Sequence, residues 1–125
     1  MYIKVGKKKI DVLENGDLSC AFFVTVILHM FGLIKEIHTT VNGTIEDMEK
    51  TGWKEVKKPK IGDVLIWEKK KQTKRGGGHR HVGFYIGNEQ AISNNFKLGV
   101  PKINHITYSG KRKVEKIFRH ESFTD

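Results

Sequence analysis

The chain has a single cysteine, Cys20, which stands at the start of its most apolar stretch, residues 19–31. Gly16-Asp17 and Gly32 bound this stretch, which predicts a buried helix with the cysteine in its first turn. A helix N-terminus carries partial positive charge and unpaired N–H groups, so it favours a thiolate that can attack carbonyl carbons. Alternatively, Cys20 is a small apolar residue of the core with no catalytic role. A histidine on another element, placed to act as a base, would favour the interpretation of Cys20 as a nucleophile.

The six histidines are the candidate bases for such a thiol. His81 begins a predicted strand after a basic, glycine-rich segment, so the sheet would fix its imidazole at a strand end, open to a cleft. His79 lies two residues earlier, inside that segment, and is less constrained. Zinc held by Cys20, His79 and His81 is the remaining alternative, but no CxxC or HxxxH pattern accompanies them. The sequence therefore predicts a thiol with a histidine base, and neither a metal nor a cofactor.

The elements that must position these residues predict an α+β domain. Helices come first and strands follow, which is typical of helices packed on one side of a mostly antiparallel sheet, here of about five strands. With 125 residues, the chain is expected to form one domain over residues 1–125. The predicted elements are the helix with Cys20, a helix over residues 44–50 capped by Thr44, a turn that leads into a strand within 58–68, and two hairpins, 81–94 around Gly87-Asn88 and 103–118 around Ser109-Gly110.

The composition excludes some functions and leaves others open. A formal net charge of +9 favours a polyanionic partner, either nucleic acid, an anionic wall polymer or an acidic lipid surface. No apolar run reaches the ~18–20 residues of a membrane span, and one cysteine excludes an internal disulfide. No secretory signal is visible at the N-terminus, so we expect the chain to be cytoplasmic as synthesised. An extracytoplasmic target would then be reached by lysis, from a phage particle or through a dedicated export route.

Three segments resemble a known family. Residues 19–24, 60–67 and 81–87 read SCAFFV, KIGDVLIW and HVGFYIG, and in this order they resemble the NlpC-type and CHAP-type cysteine peptidases of the papain-like superfamily. The resemblance covers about residues 15–96. It implies a minimal papain-like domain in which Cys20 attacks a carbonyl carbon while His81 takes and returns the proton. The implied activity is that of a monomeric cysteine peptidase or amidase that hydrolyses amide bonds, foremost those of peptidoglycan.

The resemblance also implies a third polar residue that orients the imidazole from the following strand. An asparagine carbonyl can accept a hydrogen bond from the ring and hold its tautomer. With a two-residue turn at Gly87-Asn88, position 81 faces Asn94, which is the predicted third residue. A shift of one residue would substitute Ser93 or Asn95. The implied oxyanion hole is the backbone N–H of Cys20 with one further donor, for which Ser19 is the candidate.

Two other functions stay open on the sequence. Papain-like relatives also act on protein tails, isopeptide bonds or lipids, so the same machinery can serve a protein or lipid substrate as a hydrolase or acyltransferase. The basic segments instead suit a module that binds nucleic acid or another polyanion, with Cys20 as a structural residue. The chain lacks a recognisable helix-turn-helix, zinc finger or aromatic RNA-binding strand, which favours the enzyme.

Overall fold

The computed structural model of the chain describes residues 2–5, 8–11, 19–68, 80–95 and 100–123. Within these ranges, no helix is long and apolar enough to cross a membrane. The elements in chain order are the strands β1 (Tyr2–Val5) and β2 (Lys8–Asp11), the helices α1 (Ser19–Met30) and α2 (Val41–Lys50), the strands β3 (Trp53–Val56), β4 (Val64–Trp67), β5 (His81–Gly87), β6 (Gln90–Asn95), β7 (Val100–His105) and β8 (Val114–His120), and a 3₁₀ turn (Glu121–Phe123).

The ends of the two helices follow from capping chemistry. Gly32 has φ +69° and its N–H donates to the carbonyl of His29, while the N–H of Leu33 donates to Leu28, which together form the glycine-ended stop that was predicted for α1. The cap of α2 was predicted wrongly. Thr40, not Thr44, accepts a hydrogen bond from the N–H of Gly43 and starts the helix, which places Thr44 inside the first turn and fully buried.

The main sheet has six antiparallel strands in the order β3-β8-β4-β5-β6-β7. Strands β1 and β2 form a separate two-stranded sheet. Two helices on an antiparallel sheet confirm the predicted α+β class, and β3 is the strand beyond the five expected. The predicted 103–118 hairpin is wrong. Strand β8 lies between β3 and β4, where Phe118 is buried, whereas β7 is a largely exposed edge strand beside β6.

The sheet separates two apolar cores because successive side chains of a strand point to opposite faces. The first, which we call the helix-side core, contains side chains from both helices and from every second position of the strands. The second, the helix-free core, contains strand and loop side chains only. The helix-side core consists of Cys20, Ala21, Val24, Leu28, Ile34, Ile45, Met48, Trp53, Val64, Ile66, Val82 and Phe118, and the helix-free core of Leu65, Trp67 and Ala91 with Tyr85, Ile106, Tyr108, Val114 and Ile117 around them.

A buried ion pair ties the start of β4 to the end of β8. Asp63 is 1% exposed, and its carboxylate accepts hydrogen bonds from Nε and Nη2 of Arg119 at 2.9 and 2.7 Å. The same carboxylate accepts the N–H of Lys60 at 2.8 Å, and Nη2 of Arg119 also donates to the carbonyl of Lys58 at 3.0 Å. The aspartate of the KIGDVLIW segment therefore has a structural role in this fold: it fixes the turn that feeds β4.

Candidate active site

His81 is held in one orientation at the start of β5 by a chain of hydrogen bonds. Its Nε2 lies 2.8 Å from Oγ of Ser93, and that Oγ lies 2.8 Å from the hydroxyl of Tyr108. The imidazole also packs against Trp67, whose ring centroid is 5.2 Å away and whose indole N–H donates to the carbonyl of Ile106 at 2.6 Å. The ring is therefore fixed by contacts on the helix-free face of the sheet, as a general base requires.

The structure corrects the predicted neighbour of His81 from Asn94 to Ser93. The turn of the hairpin lies at Asn88 and Glu89, both with positive φ, one residue later than predicted, and a bulge in β5 between Tyr85 and Gly87 precedes it. The pairing of Phe84 with Ile92 then places Asn94 opposite the residue after His81, on the other face of the sheet. Asn94 is 7% exposed there. The side chain of Asn95 lies outside the described residues.

Gly83 explains how Ser93 comes so close to the imidazole. A Cβ at position 83 would lie 2.7 Å from the carbonyl oxygen of Ile92 and 2.8 Å from Cβ of Ser93. Neither atom is the far end of a flexible chain, so any larger residue would push β6 away from β5. The glycine of the HVG sequence is therefore what allows Ser93 to reach the ring across the strands.

Cys20 lies in the first turn of α1, as predicted, and its side chain belongs to the helix-side core, 5% exposed. Backbone hydrogen bonds at Val82 and Ala21 favour the thiolate, and the first of these places the thiol against the residue that follows His81. Burial is the larger effect, however, and it raises the pKa of the Cys20 thiol above its ordinary value. The expectation that the helix N-terminus lowers this pKa is thus wrong for the free protein, because desolvation outweighs it.

Arg112 and Tyr108 are site residues that the sequence did not single out. Arg112 acts electrostatically on Cys20, His81 and Tyr108, and its Nε donates to the carbonyl of Glu68 at 3.1 Å. In the sequence it is the middle of three consecutive basic residues, a pattern that is typical of solvated loops. What distinguishes it is the hydrogen bond to the carbonyl of Glu68, the residue after β4, and this contact appears in the structure alone.

The predicted base and the predicted thiol are both uncharged near neutral pH. Burial, and then the charge of Arg112, lowers the pKa of His81 to about 3, so its imidazole is uncharged near neutral pH. In the imidazole of His81, Nε2 has a hydrogen-bond partner among the described residues and Nδ1 has none. Among these residues, every fully buried side-chain N or O atom has a hydrogen-bond partner. Nδ1 is therefore not sealed in the core. It is the nitrogen that remains for a proton from a nucleophile.

The other predicted site features lie beyond what the structure describes. Ser19 is described by its backbone alone, and His79 is outside the described residues. Within the described part of the chain, no group of three or more His, Cys, Asp or Glu side chains converges as metal ligands do. The zinc alternative with His79 and the oxyanion donor at Ser19 stay untested.

The pKa of His81 predicts how stability depends on pH. Its folded value of about 3 lies below the ordinary 6.5, so between these pH values the unfolded chain binds a proton that the folded chain does not. The free energy of unfolding should therefore fall as pH falls through this window, by about 1.4 kcal/mol per pH unit from this residue. Urea unfolding of the wild type and of His81→Gln between pH 7 and pH 4 measures it. Parallel profiles for the two proteins would contradict a buried neutral imidazole.

Comparison with known proteins adds one family. A family model described as bacteriophage peptidoglycan hydrolase matches residues 14–123. The match contains α1, α2 and all six strands of the main sheet, and therefore every residue of the candidate site. A search of curated proteins finds no significant match.

Proposed function

The chain belongs to the bacteriophage peptidoglycan hydrolase family, and from this premise we propose that it cleaves amide bonds of peptidoglycan with Cys20 as nucleophile and His81 as general base. The family membership confirms the expected cell-wall hydrolase. The NlpC-type or CHAP-type papain-like chemistry is part of the proposal. The observation that carries it is the imidazole of His81, which Ser93 holds in one orientation. His81 directly precedes Val82, whose backbone contacts the thiol of Cys20. The test is clearing of purified cell wall by the wild type but not by Cys20→Ala.

The proposed reaction moves one proton back and forth through His81. Nδ1 takes the thiol proton as the sulfur of Cys20 bonds to the amide carbon, which forms a tetrahedral oxyanion. When the carbon–nitrogen bond breaks, the imidazolium gives this proton to the leaving amine, and a thioester remains. His81 then takes a proton from a water molecule as the water oxygen attacks the thioester carbon. Collapse of the second intermediate releases the carboxylic acid and returns the proton to the sulfur.

The oxyanion would be stabilised at the N-terminus of α1. The first N–H groups of a helix have no partner within the helix, and they point toward any atom held at its start. The backbone N–H of Cys20 is in this first turn, so it is the proposed donor. Ser19 remains the candidate for the second donor.

A neutral thiol at Cys20 predicts a distinctive dependence of the alkylation rate on pH. Since burial raises the pKa of Cys20 above the ordinary 9.0, the reaction rate with iodoacetamide should rise about tenfold per pH unit from pH 6 to pH 9 without a plateau, because only the thiolate reacts. Mass spectrometry follows the label, and the single cysteine makes it specific. A plateau at neutral pH would instead show a thiolate–imidazolium pair.

Removal of the hydroxyl behind the imidazole should slow the reaction without weakening substrate binding. Ser93→Ala deletes the partner of His81 Nε2, and we expect kcat to fall about tenfold at unchanged KM, as for the loss of one buried hydrogen bond. Tyr108→Phe, which leaves Ser93 in place, should have a smaller effect. Asn94→Ala is the matched control on the other face of the sheet. A loss of kcat in Asn94→Ala but not in Ser93→Ala would restore Asn94 as the orienting residue.

A further inference from the structure

Tyr108 is held against the imidazole of His81 by a strained stretch of backbone. Its ring packs edge-on against Trp67 and His81, with ring centroids 5.4 and 6.0 Å away. The backbone at Tyr108 has φ +51°, in the left-handed region that an aromatic residue rarely adopts. Such a conformation persists only where the surrounding structure requires it, and it is often found at functional sites. The side chain of Tyr108 is therefore a candidate for a role in this site.

The hydroxyl of Ser93 lies between the two rings and has a single hydrogen to donate. Its Oγ is 2.8 Å from Nε2 of His81 and 2.8 Å from the hydroxyl of Tyr108, and these two atoms are its partners among the described residues. Ser93 is 3% exposed, so water does not replace either partner. The hydrogen of Ser93 must therefore point either to Tyr108 or to His81.

These two arrangements place the proton of the neutral imidazole on different nitrogens. If Ser93 donates to Tyr108, its oxygen accepts from Nε2–H of His81, and Nδ1 is free to take a proton from a thiol. If Ser93 donates to Nε2 instead, the ring carries its hydrogen on Nδ1, which cannot accept another. The imidazolium that forms during the proposed reaction has N–H groups on both nitrogens, so it also requires Ser93 to donate to Tyr108.

The phenol oxygen of Tyr108 is suited to accept this hydrogen. Burial raises the pKa of Tyr108 above its ordinary value, so the hydroxyl is neutral. Tyr108 is half-buried, so water can accept its own hydrogen while its oxygen accepts from Ser93. Resting on the proposed function, we propose that Tyr108 is a positioning residue: by accepting the hydrogen of Ser93, its hydroxyl keeps the proton of the His81 ring on Nε2 and leaves Nδ1 as the base.

Nitrogen NMR of protein with isotopically labelled histidine tests this without turnover. The chemical shifts of the two ring nitrogens give the tautomer at neutral pH, and His81→Gln identifies the His81 signals among those of the six histidines. We expect most of the wild-type ring to carry its proton on Nε2. In Tyr108→Phe, Ser93 has only Nε2 as an acceptor, so the ratio of the two tautomers should shift about fivefold toward Nδ1–H, as for one hydrogen bond.

Tyr85→Phe is the matched control for the tautomer measurement. It removes a hydroxyl from a tyrosine that also packs against the helix-free core, but this hydroxyl accepts the N–H of Glu89 and is not in contact with Ser93. The tautomer ratio of His81 should therefore stay unchanged.

The rate of the proposed reaction gives a second measurement. Tyr108→Phe should lower kcat about three- to fivefold at unchanged KM, less than Ser93→Ala does, since Nε2 of His81 keeps a partner. Because Tyr108 acts through Ser93, the same substitution in the Ser93→Ala protein should lower kcat by less than about twofold further. Losses that multiply in the double variant would overturn an action through Ser93.

The outcomes separate this inference from the proposed function. An unchanged tautomer ratio in Tyr108→Phe, an equal shift in Tyr85→Phe, or a wild-type ring protonated mostly on Nδ1 would overturn the role of Tyr108. Should Tyr108→Phe fail to fold, the wild-type tautomer decides alone. Clearing of cell wall by Cys20→Ala would refute the thiol mechanism, yet it would leave the tautomer result unchanged.

Discussion

We expect Cys20→Ala to lose at least about 10³-fold of the wall-clearing activity of the wild type, because the variant keeps the fold and the proposed base but lacks the proposed nucleophile. The side chain is buried at the start of α1 and contacts the backbone of Val82. Its truncation by one sulfur atom leaves a small cavity, which costs little stability compared with a large core residue. Turbidity of purified cell wall gives the rate, and thermal unfolding in the same buffer shows that both proteins are folded.

Cys20→Ser is the matched variant that separates a nucleophile from a core residue. It keeps the size of the side chain but replaces the thiol with a hydroxyl, which is a far weaker nucleophile beside a base whose pKa is about 3. A merely structural cysteine predicts that both variants clear the wall as the wild type does, once stability is matched. A module that only binds a polyanion predicts that neither the wild type nor the variants clear the wall. Equal clearing by the wild type and Cys20→Ala would therefore end the thiol mechanism.

The parts of the site that the sequence predicted are those that depend on local patterns. The apolar run and its terminal glycine determine α1, and therefore the position of Cys20 in its first turn. Strand β5 begins at His81, as predicted, because the run from this residue to Gly87 contains β-favouring aliphatic and aromatic residues and is followed by a turn. Such features depend on nearby residues alone, so they can be derived without knowledge of the rest of the fold.

The neighbour of the imidazole was predicted one residue away from Ser93 for a reason specific to β-hairpins. A turn displaced by one residue, together with a bulge in β5 before it, moves Asn94 to the helix side of the sheet and brings Ser93 to the imidazole. The sequence contains turn formers at both Gly87 and Asn88, so it does not determine which pair closes the hairpin. Local patterns therefore restrict the choice to neighbouring residues, and only the strand register decides between them.

Residues supplied by distant segments were not predictable at all. Tyr108 and Arg112 reach the site because β8 pairs with β3 and β4, and not with β7 as expected. The sequence of a strand does not determine which strand it pairs with, because the hydrogen bonds between strands are made by the backbone. The choice here depends on Phe118, which the sheet buries in the helix-side core, and that is a property of the whole fold.

The second large effect concerns stability. Asp63→Ala should lower the free energy of unfolding by about 3–5 kcal/mol, because it leaves the guanidinium of Arg119 largely buried without its carboxylate and the N–H of Lys60 without its acceptor. The total free energy of unfolding of such domains is only about 5–15 kcal/mol, so the variant should unfold at a much lower urea concentration. The Asp63 side chain is 2% exposed and that of Arg119 17%, so solvent does not replace the lost contacts.

A double-mutant cycle shows whether the pair itself is responsible. Arg119→Met alone should also destabilise strongly, since it leaves a buried carboxylate held by Lys60 only. Asp63→Ala/Arg119→Met removes both charges, and its loss should be smaller than the sum of the two single losses by about 1–3 kcal/mol. Lys116→Met, which removes the partner of Glu55 from a more exposed, 3.9 Å contact on the same strand, is the control and should change stability by less than about 1 kcal/mol. Additive losses would mean that Asp63 acts through the Lys60 turn, and that β4 and β8 are joined by their ladder alone.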